Sequence, residues 1–531
     1  MADNEPTPTA SGVPSILSEK TAVPITETTP QEPEGPPGGI RFWLIIVSLM
    51  VATFLSALDL TSVSTALPII VQDLNGSDFV WVGASFSLGS TAFLPLSGGL
   101  AQIFGRRPVV LGSLAFFFIG SAVSGAAQNM NMLIAGRTLQ GIGGGGILSL
   151  TEIIVGDLVS LRYRGPFMGI FGAVWAIASA IGPPIGGVFA EHNWRWLFYL
   201  NLPLAAIAIG LVFVFLHLKA PEGDFKSQMR RMDWVGNGLV VGATTSVVLA
   251  LAWAGVQYSW NSAHILAPLI VGFFGLVAFM LWEAKWASEP VVPWQLVNNR
   301  TSFFGYLTVF LHGIASTAAV FYFPVYFQAS QLQKPIQSGV SLFGIAFTVA
   351  PAAIVCGILV AKFNRYIPQN LAGWAFTTLG FGLMSMITVS SPKGWQIGFQ
   401  IVCGIGLGLI YAAPTFPVLA PLPTSETAHA LALFAFVRNF AQTFGVTIGS
   451  TILQNELKKK LPPAFLETVS SRGAEIAYAV IPVVGSLQEP LQSQVRDAFA
   501  QSVQVIWRVM IGISIAGFLC VLFMREIRLH E

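Results

Sequence analysis

The chain has 531 residues, of which 54% are hydrophobic and only 10% charged, with a formal net charge of +2 and a mean hydropathy of +0.69. This balance excludes an ordinary water-soluble protein, and the length excludes a chain held by one or two anchors. What remains is a polytopic all-α integral membrane protein set in the lipid bilayer, with no sign of a nucleic-acid surface.

Residues 1–39 are rich in Pro, Thr, Ser and Glu and contain no apolar run. Such a segment cannot offset the entropy of ordering, so it is expected to be a disordered tail with no cleavable signal ahead of it. Stretches long enough to cross a ~30 Å hydrocarbon core begin near Phe42, Val80, Pro108, Met132, Phe167, Trp196, Trp234, Ile265, Phe303, Ser338, Leu371, Gln396, Ala428 and Ser502. They predict fourteen spans with both termini on one side.

The charges orient them. One set of short connections and ends holds Arg41, Arg106, Arg107, Arg162, Arg164, Lys219, Lys226, Arg230, Arg231, Lys285, Arg300, Lys362, Arg365, Arg525 and Arg528; the other holds Arg195, Lys334 and Lys393. By the positive-inside rule both termini are cytoplasmic. The connection 456–501 is expected outside, partly helical and interfacial, too long for Lys458, Lys459 and Lys460 to count.

An internal repeat fixes the domain layout. Gly98-Gly99-Leu100 with Arg106 returns 259 positions later as Gly357-Ile358-Leu359 with Arg365. The run from Arg137 to Gly145 returns 263 positions later as Gln400 to Gly408, and Gly182 and Gly186 then meet Gly445 and Gly449. This predicts a six-helix bundle over 40–219, two inserted spans with linkers over 220–300, a second six-helix bundle over 301–525, and a short cytoplasmic tail at 526–531.

Four motifs carry chemistry. The first span holds Leu58-Asp59-Leu60-Thr61-Ser62 through Pro68, and the fourth holds Gly136-Arg137-Thr138-Leu139-Gln140-Gly141. Charges at membrane depth are costly and need a partner or a job. Asp59 lies nine residues from the outer Pro68 and Arg137 seven from the outer Met130. At ~1.5 Å per residue their depths match and they can pair. Either they serve structure alone, or Asp59 binds protons, its charge disfavoured by burial and favoured by a nearby cation.

Between spans two and three, Gly98-Gly99-Leu100-Ala101-Gln102-Ile103-Phe104-Gly105-Arg106-Arg107 reads as a tight cytoplasmic turn clamped by arginines, or as arginines that merely set topology. The fifth span runs from Gly169 to Gly182-Pro183-Pro184-Ile185-Gly186-Gly187. Its proline pair removes backbone donors where water cannot replace them, so a kink is expected. Ala178, Gly182 and Gly186 form a strip that another helix can approach closely.

These motifs, in this order, resemble the major facilitator superfamily, and within it the fourteen-span drug:proton antiporter branch of fungi and bacteria, over residues from about 42 to 525. The resemblance implies two six-helix bundles rocking about a central cavity. It assigns proton coupling to Asp59 and Arg137, a cytoplasmic gate to Gly98, Gln102, Gly105, Arg106 and Arg107, and an antiporter motif to Gly169, Gly182, Pro183, Gly186 and Gly187. From position alone, Glu152 in the cytoplasmic half of span four is either a second proton site or a bond to a neighbouring helix, and Asp157 is a gate or a topology residue. Gln102 stands where the family usually has Asp, and Ala178 where it usually has Gly. Trp194-Arg195-Trp196 through Pro203 matches the branch as well.

Further candidates are Tyr322, Tyr326 and Arg438 for a substrate cavity, and Asn75 in the sequon Asn75-Gly76-Ser77 for glycosylation. No GxxxxGK[ST] phosphate loop occurs, and the three cysteines and six histidines show no metal spacing. No cofactor or metal is expected. The expectation is a monomeric, proton-coupled exporter of drugs, toxins or secondary metabolites in the plasma or vacuolar membrane. Its alternatives are a proton-coupled carrier of one solute such as a basic amino acid or siderophore, a transporter-like nutrient sensor, or a membrane enzyme.

Overall fold

The computed structural model describes residues 38–74, 80–218, 232–254, 258–287, 290–463, 465–466, 480–481 and 483–527. Long helices dominate them: α1 (Ile40–Asp73), α2 (Val80–Phe104), α3 (Arg106–Gly125), α4 (Met130–Leu158), α5 (Leu161–His192), α6 (Arg195–Phe215), α7 (Trp234–Trp253), α8 (Ala263–Lys285), α9 (Arg300–Val325), α10 (Phe343–Phe363), α11 (Ile367–Met384), α12 (Lys393–Ala412), α13 (Thr427–Lys460) and α14 (Leu491–Leu522). Among the described residues no strand forms, only the isolated bridge between Ala254 and Tyr258.

Twelve helices among the described residues are long and apolar enough to cross a membrane. The fourteen-span count would also need α2, interrupted by Ser, Gly and Pro95, and α11, whose 18 residues carry Pro368, Gln369 and Asn370 in the first turn; neither is among the twelve. The connection expected over 456–501 is shorter than the sequence suggested. Lys458, Lys459 and Lys460 form the last turn of α13, where cations complement the exposed carbonyl end, and α14 starts at Leu491, eleven residues before the expected Ser502. Asn75, the tail 1–37 and the basic stretch 219–231 lie outside the described residues.

Helices α1 to α6 pack together, α9 to α14 pack together, and α7 and α8 pack on one another and against α2. The two bundles meet where α5 runs along α10 and where α2 and α4 face α13. The sequence repeat is also a repeat of contacts. Gly141, Gly143 and Gly145 of α4 admit Phe86, Phe117 and Ser90, while Gly404, Gly406 and Gly408 of α12 admit Ile345, Thr377 and Val349 at the corresponding places. These glycines let helices approach so closely that an added methyl would strike backbone. Gly182 and Gly186 lie against Thr61 and Ser62 of α1, and their repeat partners Gly445 and Gly449 lie against Ile314 and Tyr322 of α9. The helix α5 continues through Pro183 and Pro184 without a break in its helical assignment.

Candidate functional site

Asp59 and Arg137, brought to one depth by α1 and α4, are 2% and 1% exposed and form an ion pair through Arg137 Nη1 and Asp59 Oδ2. The pair is not isolated. Asn201 Nδ2 of α6 donates to Asp59 Oδ1 at 2.7 Å, and Gln140 Nε2 donates to the same oxygen at 3.2 Å. Gln140 Oε1 accepts from Arg137 Nη1 at 2.9 Å, and Arg137 Nε reaches Val82 O of α2 at 3.2 Å. The guanidinium also lies 4.7 Å from the Phe86 ring centre, a favourable cation–π position.

This network holds both charged groups in place. A buried ion pair roughly offsets its desolvation only while both partners stay in place, and removing one charge leaves the other stranded at a cost of about 3–5 kcal/mol. The depth argument anticipated the pair but not Gln140, Asn201 or Phe86. Their signal was faint: an amide one helical turn from Arg137, and another inside the Trp194 to Pro203 stretch.

A second charged pair joins the bundles. Arg438 Nη1 of α13 lies 3.1 Å from Glu152 Oε1 of α4, Nη2 donates to Tyr411 O at 3.1 Å, and the guanidinium sits over the Tyr411 and Phe434 rings at 4.4 and 4.5 Å. Next to it, Asn439 Nδ2 donates to Thr91 Oγ1 at 2.9 Å and Ser90 Oγ at 3.2 Å of α2. Glu152 and Arg438, assigned separately from the sequence to proton coupling and to a cavity, thus face each other.

Toward the Arg106 end the bundles touch again. A methyl at Gly98 would lie 2.7 Å from Ala432 Cβ, and Gln102 Nε2 is 3.1 Å from His429 Nδ1 of α13. Gly105, at φ 86°, makes the tight turn that only glycine adopts freely. Arg106 then binds Asp157 with Nε at 2.7 Å and Nη2 at 3.4 Å, tying α3 to α4. Arg107 reaches Phe213 O of α6. Gln102, in place of the usual carboxylate, is an inter-bundle hydrogen-bonding residue, so a neutral side chain can hold this contact.

The motif on α5 divides its work. Gly182 and Gly186 meet α1 just beyond Asp59, Ala178 packs with Ala57 and Leu58, and Gly169 meets the Ile354 backbone of α10 in the other bundle. Gly187 is buried. Tyr322 and Tyr326 are 4% and 3% exposed, with hydroxyls donating to Val446 O and Thr388 O inside the second bundle. The three cysteines are buried and unpaired.

A family model described as Major Facilitator Superfamily matches residues 49–446. The chain belongs to the Major Facilitator Superfamily. It is therefore a multi-pass membrane transporter and not an enzyme. It is 38% identical over 528 residues to a protein of Gibberella fujikuroi named "Efflux pump FUS6", with 97% of this chain and 95% of that protein covered. It is 37% identical over 514 residues to the "Acurin A biosynthesis cluster MFS-type transporter" of Aspergillus aculeatus, covering 94% and 92%. Among solved structures, the human organic anion transporter MFSD10 (TETRAN) superposes with a TM-score of 0.58 at 15% identity, covering 91% of this chain and all of that one. At that identity the likeness shows the major facilitator fold alone.

Proposed function

We propose that this superfamily member exports small amphipathic organic compounds, toxins or secondary metabolites among them, in exchange for protons. The reading rests chiefly on the buried Asp59–Arg137 pair with its satellites Gln140 and Asn201, the one fully enclosed charge pair in the first bundle among the described residues. The efflux name carried by the Gibberella fujikuroi relative supports the direction. In this reading the chain is a monomer with fourteen spans, both termini cytoplasmic, in the plasma membrane.

The cycle follows from the contacts. With the bundles closed at the Arg106 end, a proton from the acidic outer side neutralises Asp59, frees Arg137 and destabilises this arrangement. The bundles then rock, opening the Arg106 end, where the contacts of Gly98, Gln102 and Glu152 with α13 must part. Proton release inward restores the pair. Substrate and proton bias one two-state equilibrium in opposite senses, which is the requirement for exchange.

Inside-out vesicles with an acidified lumen provide the test, using a fluorescent amphipathic dye. Wild type should accumulate dye uphill while dissipating the lumen acidity. Asp59→Asn should do neither; uphill accumulation with unchanged proton movement in that variant would sink the proposal.

A further inference from the structure

The inserted pair α7–α8 contains two carboxyl groups that neither bundle uses. Asp233 caps the N-terminus of α7, where Gly236 N donates to its Oδ1 at 2.9 Å. From α8, Trp282 Nε1 lies 3.1 Å from Oδ1 and 3.0 Å from Oδ2. Glu283, the next residue on α8, is 5% exposed. Its Oε2 accepts from Val292 N at 3.2 Å, while its Oε1 is buried and finds no N–H or O–H donor.

That unpartnered oxygen points at Asp233. A methyl built on Gly236 would come 2.6 Å from Glu283 Oε1 and would also strike Asp233 Oδ2, so both oxygens crowd one point. Among the described residues no Lys, Arg or His pairs with either carboxyl. Lys285, on the same helix, lies instead over the Trp286 ring at 6.0 Å. Glu283 is buried and Asp233 only partly exposed, and a buried carboxylate that faces a second one without a cation is costly to keep ionised.

The donors decide which group is the anion. Asp233 receives two N–H donors and sits at the positive end of α7. Glu283 accepts from Val292 N and leaves Oε1 without a donor. We infer that Asp233 and Glu283 form a proton-binding site separate from Asp59, in which Glu283 Oε1 carries the proton and donates it in a hydrogen bond to Asp233 Oδ2. Loss of the proton leaves two anions face to face and pushes α8 from the start of α7.

The displacement has somewhere to go. Val292, held by Glu283, lines a cavity of about 230 Å³ together with Val240 of α7, Phe279 of α8, Pro95 of α2 and Phe436 of α13. The shared proton thus fastens the inserted pair beside the α2–α13 contact, where the bundles meet.

Infrared difference spectroscopy on the purified full chain, stepped from mildly acidic to mildly alkaline buffer, reads the proton directly. Wild type should lose a carboxylic-acid C=O band. Glu283→Gln, which keeps a donor toward Asp233, should lack that component, whereas Asp59→Asn and Glu152→Gln should retain it. Full band amplitude in Glu283→Gln overturns the inference. Asp233→Asn replaces a charged acceptor of the shared proton by a neutral one, so the Glu283 C=O band should move in frequency. An unmoved band in that variant also overturns it, and because Asp59 is intact there, the result is independent of the export mechanism.

Discussion

Glu152 Oε1 and Arg438 Nη1 meet at 3.1 Å across the two six-helix bundles, with side chains 14% and 13% exposed. The pair is incompletely satisfied: Glu152 Oε2 and Arg438 Nε are buried without partners. A contact of this kind is strong enough to hold the bundles together and weak enough to be given up. Thermal unfolding of Glu152→Gln, Arg438→Gln and the double variant should yield a coupling energy of about 1–3 kcal/mol. Additive single effects would show that the two side chains act independently.

Removing the charge of Asp59 without removing that of Arg137 should damage the fold. Asp59→Ala strands a guanidinium that is 1% exposed, at a cost of about 3–5 kcal/mol. Asp59→Asn combined with Arg137→Gln should recover most of that stability while leaving transport uncoupled. Melting temperatures in detergent, read beside vesicle transport, separate the two effects. Equal stability of Asp59→Ala and wild type would mean that Arg137 has another partner ready.

Glycine positions give a graded test of helix contact. At Gly186 a methyl group would run into the Ser62 carbonyl of α1, backbone that cannot rotate away. Gly186→Ala should cost about 1–3 kcal/mol. Gly112 on α3 has nothing within 4 Å, so Gly112→Ala should be neutral or stabilise by about 0.5–1 kcal/mol through better helix propensity. The difference between the two melting temperatures is the measurement, and a reversed order would contradict the packing described.

Residues 525–527 are fastened by Tyr366. Its hydroxyl donates to Arg525 O at 2.7 Å and accepts from Ile527 N at 3.1 Å, while its own N–H donates to Glu526 Oε1 at 2.8 Å. Burial pushes this phenol up from 10.0 to about 12. Because the folded value is raised, its contribution is complete below pH ~10 and disappears as pH climbs through ~12. Tyr366→Phe should expose residues 525–527 to carboxypeptidase at neutral pH, and wild type should show the same susceptibility only in strongly alkaline buffer.

The sequence disclosed depth better than direction. Counting residues along a helix put Asp59 and Arg137 at one level, because rise per residue is constant. Rotation about the helix axis depends on neighbours, and so Gln140, Asn201 and the meeting of Glu152 with Arg438 stayed hidden. Nor does the sequence reveal that the Tyr322 and Tyr326 hydroxyls donate to backbone acceptors within their bundle. The repeat was legible where the glycines of α4 and α5 meet neighbours as those of α12 and α13 do, since a missing side chain leaves the same mark in both halves. Helix ends were less legible, as at α14, whose first eleven residues are mixed in polarity and read as loop.

Helix α5 has no side chain at three of its tightest contacts. Gly186 and Gly182 rest on α1 beyond Asp59, and thirteen residues before Gly182, Gly169 rests on Ile354 of α10. A flexible side chain at any of these points would absorb a small shift by changing rotamer; bare backbone cannot. Between the stretch of α1 that follows Asp59 and α10 of the opposite bundle, α5 therefore interposes no rotamer of its own, and these contacts join one rigid backbone directly to its neighbours.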